Sequence, residues 1–357
     1  MNAITTVPGQ ELAIAAAVMR AAGEAANEAA EAHVFADYLE RKAENTRIAQ
    51  LADLRLFATY LGSIAGGVAM PSGEALQTTG AAWAGVTWGL VAAFVEWLKR
   101  EGYAVGTINR ALSTVKGYAK LAAKAGAVTT HELALIRVVA GYGGKEARRM
   151  DAARVDAGAP TRRGQKKAAH TRITAAQAKE LKTHPDTPQG RRDALLMALL
   201  LDHGLRESEA ALLDVGGVDL AAGTITFYRP KVDGTDTQHM TPATRRAMGA
   251  WFASGDAPAL GPILRSTRKG GALTAGAMSL SAMRQRVRAL GLAVGLSGLS
   301  PHDCRHYWAS AMGRMVAAGR MDLFRLQEMG GWSSLAMPRR YVERAAVSNA
   351  GVAYEDD

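Results

Sequence analysis

Apolar residues at helical spacing fill two long stretches of the chain, and the segment between them breaks that spacing. Residues 33–145 and 171–357 carry apolar positions that recur as they do in helices burying one face in a shared core. Residues 146–170 shift to Arg, Lys, Ala, Gly and Pro, and the apolar periodicity stops there. Residues 1–32 are rich in Ala and Glu and only weakly periodic. The pattern predicts two folded domains, a basic linker at 146–170, and an acidic N-terminal arm that is either a loose helix or disordered.

The first stretch predicts a helical domain. Apolar spacing indicates helices at 46–61, 87–100 and 105–124. Thr107 is expected as the N-cap of the third of these helices, and Thr129 or Thr130 as the N-cap of a further one. The abundance of alanine and leucine and the low aromatic content, 6%, favour helices over a β-sandwich.

The second stretch predicts a mostly helical domain with a small β-hairpin. Residues 191–202 form a strongly apolar helical pattern, and residues 224–228 have the composition of a strand. Asp233-Gly234 is a turn signal, which makes 237–240 the candidate returning strand. The expected fold class is therefore mainly α, with a helical domain followed by a mixed α/β, mostly helical, domain.

The net charge of the chain points to a polyanionic partner. It is +10, from 43 basic and 33 acidic residues, and it is concentrated in residues 33–341 because both ends are acidic. A basic body of this kind suits nucleic acid, which is the first expectation. A merely soluble basic protein is the alternative that charge alone leaves open.

Cysteine usage and hydropathy exclude several classes of protein. The one cysteine, Cys304, rules out an intrachain disulfide and a Cys/His zinc site, and it fits a reducing cytoplasm. The acidic start is unlike a secretory signal. The most apolar stretch, 83–98, is too short and too polar to span a bilayer, so no membrane partner is expected.

Three clusters of residues carry candidate chemistry, and the first is 204–209. Gly204 ends the apolar helix and Arg206 begins the next one. An arginine at a helix N-terminus is well placed to hold a phosphate, because the helix dipole and the guanidinium both attract anions. Taken alone, such an arginine is more often a surface residue.

The second cluster is 302–306, which follows Ser300-Pro301. If these residues open a helix, His302 and Arg305 lie on one face of it. An imidazole that transfers protons beside a fork-shaped cation is what a phosphodiester reaction needs. Helix capping alone would also explain His and Arg at such a position.

The third cluster is 330–334, and Tyr341 follows nine residues after Trp332. Alone, Tyr341 is typical of an amphipathic surface residue. The joint order of the clusters, however, resembles the tyrosine recombinase (phage integrase) family. That family's boxes G-L-R-x-S-E, H-x-L-R-H and L-G-H-S-S with its tyrosine are similar to 204–209, 302–306 and 330–341. The resemblance spans 171–357, and 33–145 also looks like the family's core-binding (SAM-like) domain.

Two positions depart from the family pattern. Trp332 stands where most members have histidine, although Cre recombinase is similar in having tryptophan there. An indole N–H still donates a hydrogen bond, but it does not transfer a proton at neutral pH. Cys304 replaces the usual leucine and is expected to pack as a small hydrophobe. The family's hairpin lysine corresponds to Lys231, with Arg229 as a nearby rival.

The resemblance implies that Tyr341 is a nucleophile that attacks a DNA phosphate. His302 would take the proton of the Tyr341 hydroxyl, whose ordinary pKa of about 10 makes it a poor nucleophile unaided. Arg206 and Arg305 would grip the two non-bridging oxygens. These roles are what the family pattern implies for this chain.

Four further residues complete the implied site. Trp332 would add a third hydrogen-bond donor to the phosphate, and Lys231 would protonate the departing 5′ oxygen. Glu209 and His306 would orient Arg206 and the helix that carries the site. The resemblance implies no metal and no cofactor, since the two arginines supply the positive charge that a metal supplies elsewhere.

The implied function is site-specific DNA recombination through a 3′-phosphotyrosyl intermediate and a Holliday junction. The implied partners are double-stranded DNA with an inverted-repeat site and further copies of the chain, as a homotetramer on synapsed sites. Two domains would clamp the DNA, and no small-molecule substrate is expected. The short acidic arm favours a Cre-like or Xer-like system, and the expected location is the bacterial cytoplasm, at the nucleoid. The linker residues expected to follow DNA phosphates are Arg162, Arg163, Lys166 and Lys167.

Other functions stay open at this point. A type IB topoisomerase shares the constellation of residues, but it cleaves DNA with less regard to sequence. A DNA-binding protein that has lost catalysis would keep the fold without the activity. A general basic scaffold protein would lose its DNA at salt concentrations where specific binding persists.

Overall fold

The computed structural model describes residues 8–158, 170–268 and 270–342, with side chains from residue 12 onward. These residues form two compact units, one up to residue 158 and one from residue 170. Within those ranges the first unit is helical, and the second is mostly helical with two small sheets. The predicted fold class, mainly α with a small β component, is confirmed.

Seven α-helices are described in the first unit. They are α1 (Pro8–Glu40), α2 (Glu44–Ile64), α3 (Gly73–Thr78), α4 (Trp88–Arg100), α5 (Val105–Lys124), α6 (Thr130–Val138) and α7 (Gly144–Asp156).

The core of the first unit lies between α2, α4 and α5, whose apolar faces meet. Phe57 of α2 packs edge-on against Phe94 of α4, with ring centroids 5.0 Å apart. Trp83 and Tyr118 stack beside them and are fully buried. Each of these aromatic side chains buries a large apolar area, and such burial is the main source of stability for a small helical unit.

Two N-cap predictions have different outcomes. Thr129 caps α6, because its hydroxyl accepts a hydrogen bond from the Glu132 amide. The Thr107 prediction is wrong, since α5 begins two residues earlier with Ala104 as its N-cap. The Ala104 carbonyl already accepts bonds from the amides of Thr107 and Ile108, so Thr107 lies within the first helical turn.

The predicted boundaries of the arm and the linker also need correction. α1 runs without interruption through the expected break at 32, although residues 12–33 are exposed and packing begins only near Phe35. Residues 146–156 are not linker but part of α7. Arg154 holds this helix in place, since its buried guanidinium donates to the carbonyl oxygens of Lys99 (2.6 Å) and Tyr103 (3.1 Å). A helix with one buried side and little apolar content resembles a linker in composition.

The second unit contains seven helices and five strands within the described residues. They are α8 (Ala175–Glu180), α9 (Pro188–Asp202), α10 (Glu207–Leu212), β1 (Val218–Asp219), β2 (Thr224–Arg229), β3 (Gly234–His239), α11 (Pro242–Ala253), β4 (Arg265–Thr267), β5 (Leu273–Ala277), α12 (Leu280–Ala293), α13 (Pro301–Ala317) and α14 (Leu323–Gly330).

Strands β1, β2 and β3 form an antiparallel sheet in that order. The predicted hairpin is present, with Thr224 opposite His239 and Arg229 opposite Gly234. The returning strand begins at Gly234, earlier than expected, because Asp233 adopts a left-handed conformation (φ 48°) that closes the turn. The second sheet, β4 with β5, is not foreseen in the sequence.

Helix α9 is the centre of the second unit. Its residues 195–201 are all buried, and it packs against both α11 and α13. Cys304 is fully buried in this core, as expected of a small apolar side chain. α9 therefore provides a fixed support for α13, the helix that carries the His-x-x-Arg cluster. No helix within the described ranges combines the length and apolar character that crossing a membrane requires.

Candidate active site

A tight turn between α9 and α10 positions Arg206. Gly204 adopts a left-handed conformation (φ 62°), and a Cβ atom there would lie 2.3 Å from the Trp308 ring. Only glycine meets both conditions without strain. The turn ends α9 and makes Arg206 the N-cap residue of α10, as the sequence predicts.

Glu209 is a buried carboxylate that binds two arginines. It accepts hydrogen bonds from the Arg206 amide (2.8 Å) and from Arg206 Nη1 (2.6 Å). It also accepts from Arg229 Nη1 at 3.3 Å, and Arg229 in turn donates to the carbonyl oxygen of Met329 (2.8 Å). The Glu209 side chain has no exposed surface, and its negative charge is balanced by these two cations.

The start of α13 brings His302, Arg305 and His306 onto neighbouring positions of one helix face. Ser300 is the N-cap, and the Asp303 carboxylate accepts from the Ser300 amide (2.8 Å) and hydroxyl (2.6 Å). This reciprocal arrangement is a capping box, and it fixes where the helix begins. The predicted helix at 302–306 therefore exists, with the expected face.

Arg305 lies almost entirely inside the protein, at 5% exposure. Its guanidinium donates to the carbonyl oxygen of Gly204 (2.6 Å) and to that of Gly330. Burial, followed by the nearby Arg206 charge, lowers the pKa of Arg305 to about 10. The side chain remains a cation at neutral pH, with N–H donors beyond the two that these carbonyls use.

Tyr341 and Trp332 pack together over the end of α13. α14 ends at Gly330, and Tyr341 follows a short 3-10 turn, Pro338–Arg340. The Trp332 and Tyr341 rings stack with centroids 5.9 Å apart, and Trp332 also covers the Arg305 guanidinium at 4.9 Å. Gly313 of α13 permits this approach, because a Cβ there would lie 2.1 Å from the Tyr341 carbonyl oxygen.

The Tyr341 hydroxyl contacts His306 rather than His302. Its Oη lies 2.9 Å from His306 Nδ1, and His306 Nε2 lies 3.1 Å from His302 Nε2. His302, predicted as the direct partner of Tyr341, thus reaches it only through His306. One helical turn separates the two histidines, and the 3-10 turn sets Tyr341 beside the second of them.

Burial shifts the pKa values of all three groups in this chain of contacts. It raises the pKa of Tyr341, an effect that the Arg305 charge partly offsets. It lowers the pKa of His302, and the Arg305 charge lowers that pKa further. It also lowers the pKa of His306, with His302 as the next cause. Both imidazoles are therefore favoured in the neutral form, the form that accepts a proton.

The hairpin candidate Lys231 is not part of this assembly. Lys231 lies exposed in the turn between β2 and β3, and among the described residues it makes no hydrogen bond or ion pair. Its rival Arg229 is buried at the end of β2 and supports Glu209. The linker candidates lie outside the described residues; they are Arg162, Arg163, Lys166 and Lys167.

The assembled group can hold an anion and supply a nucleophile beside it. The Trp332 indole lies between the Arg305 guanidinium and the Tyr341 phenol, whose hydroxyl is bonded to an imidazole, and Arg206 donates to the carbonyl oxygen of Gly331 beside Trp332. This arrangement suits a tetrahedral oxyanion attacked by an oxygen nucleophile. Within the described residues, no cluster of three or more His, Cys, Asp or Glu side chains could hold a metal ion.

Sequence comparisons agree with this chemistry. Residues 171–347 match the model of the phage integrase family. A tyrosine recombinase XerD of Neisseria meningitidis is 32% identical over 191 residues, which cover 52% of this chain and 62% of that protein. A tyrosine recombinase XerC of Herpetosiphon aurantiacus is 28% identical over 272 residues, which cover 72% of this chain and 76% of that protein.

Solved structures share the fold. The Tn1549 transposon integrase in complex with transposon right end DNA gives a TM-score of 0.56 at 15% identity, covering 90% of this chain and 96% of that one. A lambda integrase dimer bound to a COC′ core site gives 0.54 at 14% identity, covering 91% and 98%. At such low identity these likenesses concern the fold alone.

The buried Glu209 carboxylate yields a stability prediction. Glu209→Gln removes the carboxylate that pairs with Arg206 and one of the two that pair with Arg229, the other being Asp236, and we expect the second unit to lose about 3 kcal/mol of unfolding free energy. Glu207→Gln is the matched control, since its ion pair with Arg284 is partly exposed and is worth less than about 1 kcal/mol. Urea denaturation of both variants measures the difference. Equal losses would contradict the structural role of Glu209.

Proposed function

We propose that this chain, whose residues 171–347 match the model of the phage integrase family, is a site-specific tyrosine recombinase. It cuts one DNA strand, keeps it as a covalent adduct, and rejoins it to a different strand. The observation that supports the proposal most is the hydrogen bond between the Tyr341 hydroxyl and His306, beside the buried Arg305.

The nucleophile of the proposed reaction is Tyr341. Its hydroxyl loses a proton to the neighbouring imidazole as the oxygen attacks the scissile phosphorus. The phosphodiester gains negative charge on its non-bridging oxygens during this attack. Arg206 and Arg305 stabilise that charge with N–H donors already held in position, and the Trp332 indole adds another.

The departing group is the 5′ oxygen of the broken strand, and Lys231 is its proposed proton donor. Lys231 lies in an exposed hairpin turn, where its ammonium is accessible to a DNA strand that reaches the turn. Tyr228 stabilises that turn, since its hydroxyl donates to Asp233 at 2.6 Å. The hairpin thus presents the lysine on a defined support.

The covalent intermediate is a 3′-phosphotyrosyl link with a free 5′ hydroxyl. The link conserves the energy of the broken bond, so a 5′ hydroxyl from a second duplex reverses the step without ATP. Two rounds of exchange pass through a Holliday junction. The proposed site uses no metal and no cofactor, since the arginines carry the positive charge that the transition state needs.

The proposed substrate is double-stranded DNA with an inverted-repeat site. The basic body of the chain favours such a partner, and the Tn1549 and lambda integrases have been solved bound to recombination DNA. We further propose that residues 33–145 act as the core-binding domain and 171–357 as the catalytic domain. The two would clamp the duplex, and four copies would assemble on two synapsed sites in the bacterial cytoplasm.

Covalent capture on DNA tests the proposal. Wild type and Tyr341→Phe are incubated with sheared genomic DNA from the source organism in EDTA, denatured in SDS, and the protein-bound DNA is sequenced. We expect an adduct in wild type alone, enriched for one inverted-repeat sequence. Adducts on random DNA would favour a topoisomerase-like enzyme. Intact DNA binding without any adduct would favour an inactive DNA-binding protein, and loss of adducts in EDTA would contradict a metal-free site.

Arg206 provides a graded test of charge stabilisation. Arg206→Ala should raise the cleavage barrier by about 3 kcal/mol, roughly a 100-fold slower adduct formation. Arg206→Lys keeps the charge but loses the two parallel donors, so it too should be slower than wild type. The matched control is Arg245→Lys on α11, an exposed arginine that donates to the carbonyl oxygens of Leu220 and Ala221 in the loop between β1 and β2. Wild-type rates in both Arg206 variants would contradict the assigned role.

A further inference from the structure

His306 lies between the two groups that the proposed reaction connects. Its Nδ1 is 2.9 Å from Tyr341 Oη, and its Nε2 is 3.1 Å from His302 Nε2. A third imidazole, His170, stacks on it with ring centroids 4.8 Å apart and an interplanar angle of 12°. Contacts on both ring nitrogens and on one ring face hold His306 in a single orientation.

The tautomer of His306 sets the direction of both hydrogen bonds. A neutral imidazole has one N–H donor and one acceptor nitrogen. When the phenol of Tyr341 donates its proton, His306 Nδ1 accepts, and its Nε2 carries the hydrogen that points to His302; the opposite tautomer reverses both bonds. His302 then accepts at Nε2 and carries its own hydrogen on Nδ1. The two hydrogen bonds that link Tyr341, His306 and His302 then run in one direction, from Tyr341 to His302.

We propose that His306 is the catalytic residue that deprotonates Tyr341, and that it passes its own Nε2 proton to His302 in a two-imidazole relay. This inference rests on the proposed function and assigns the base of that reaction to a residue next to the His-x-x-Arg pair. His302 becomes the terminal acceptor rather than the direct partner of the nucleophile.

The relay conserves atoms and charge. Tyr341 Oη bonds to phosphorus as its proton moves to His306 Nδ1, and the Nε2 proton of His306 moves to His302 Nε2. The bond from phosphorus to the 5′ oxygen breaks, and that oxygen takes a proton from Lys231. Rejoining runs the same transfers backwards, so Tyr341 leaves phosphorus with a proton returned by His306.

The surroundings explain why two imidazoles serve better than one. His306 faces His302, Arg305 and Asp303 on its own helix, His170 from the preceding segment, and Tyr341. A positive charge held on His306 would stand among these imidazoles beside the Arg305 cation. Arg305 and Arg206 act more strongly on a charge at His302, so the relay relies on the larger exposed fraction of that residue, which lets water solvate the charge.

The tautomer can be read on the free protein, without DNA. Long-range proton–nitrogen NMR spectra of ¹⁵N-histidine-labelled full-length protein should show His306 protonated on Nε2 and bare on Nδ1 at neutral pH. Tyr341→Phe removes the donor, and the His306 Nδ1 signal should shift in that variant. A His306 that carries its hydrogen on Nδ1, or a signal indifferent to Tyr341→Phe, would overturn the relay.

The catalytic claim is tested on the DNA site recovered by covalent capture. His306→Ala should slow adduct formation about 100-fold, the usual scale of a general base, and free imidazole in the buffer should restore part of the rate. His184→Ala, at a half-buried histidine that bonds only the Leu181 carbonyl, is the matched control and should keep the wild-type rate. Partial rescue distinguishes proton transfer from a merely structural role.

Each remaining outcome counts against a different claim. A folded His306→Ala as fast as wild type, or a slow one that imidazole leaves unchanged, would overturn the relay while wild-type adducts sustain the recombinase. A wild type that forms no adduct on any DNA would overturn the proposed function, and the catalytic role of His306 with it.

Discussion

Arg305 donates to the carbonyl oxygens of Gly204 and Gly330 from the buried side of α13. These three positions belong to the three sequence clusters, so one guanidinium joins segments more than a hundred residues apart in the chain. The positions of Arg206 and Trp332, each two residues beyond one of these carbonyls, follow from that junction. A lysine could not reproduce it, since the two bonds leave one planar fork in fixed directions.

Concentrating three arginines in one place requires a compensating charge. Glu209, fully buried between Arg206 and Arg229, supplies part of it, and Asp236 pairs with Arg229 as well. Arg229 also donates to the Met329 carbonyl oxygen at the end of α14. The network therefore reaches from the β-hairpin to the turn that precedes Trp332. The same network holds the Arg206 and Arg305 guanidinium groups in fixed positions, through their bonds to the Gly331 and Gly204 carbonyl oxygens.

Local sequence patterns predicted a large part of the fold and of the candidate site. The Gly204 turn, the helix opened by Ser300 and the hairpin around Asp233 each depend on neighbouring residues, and each was foreseeable from turn and capping chemistry. The hydrogen bond between Tyr341 and His306 was not foreseeable from local patterns, because it depends on how the turn after α14 packs on α13 at Gly313. The helix α7 escaped prediction since one buried arginine, Arg154, rather than an apolar stripe, anchors it.

The most direct test of the account is to identify the atom that holds DNA in the covalent adduct. Trypsin cleaves after Arg340 and Arg344, which leaves the short peptide 341–344 with Tyr341 as its sole hydroxyl-bearing residue. Mass spectrometry of the nuclease-trimmed adduct should find a nucleotide on this peptide, joined through its 3′ phosphate, with a free 5′ hydroxyl on the other strand end. A nucleotide on any other peptide, or one joined through its 5′ phosphate, would contradict the central claim.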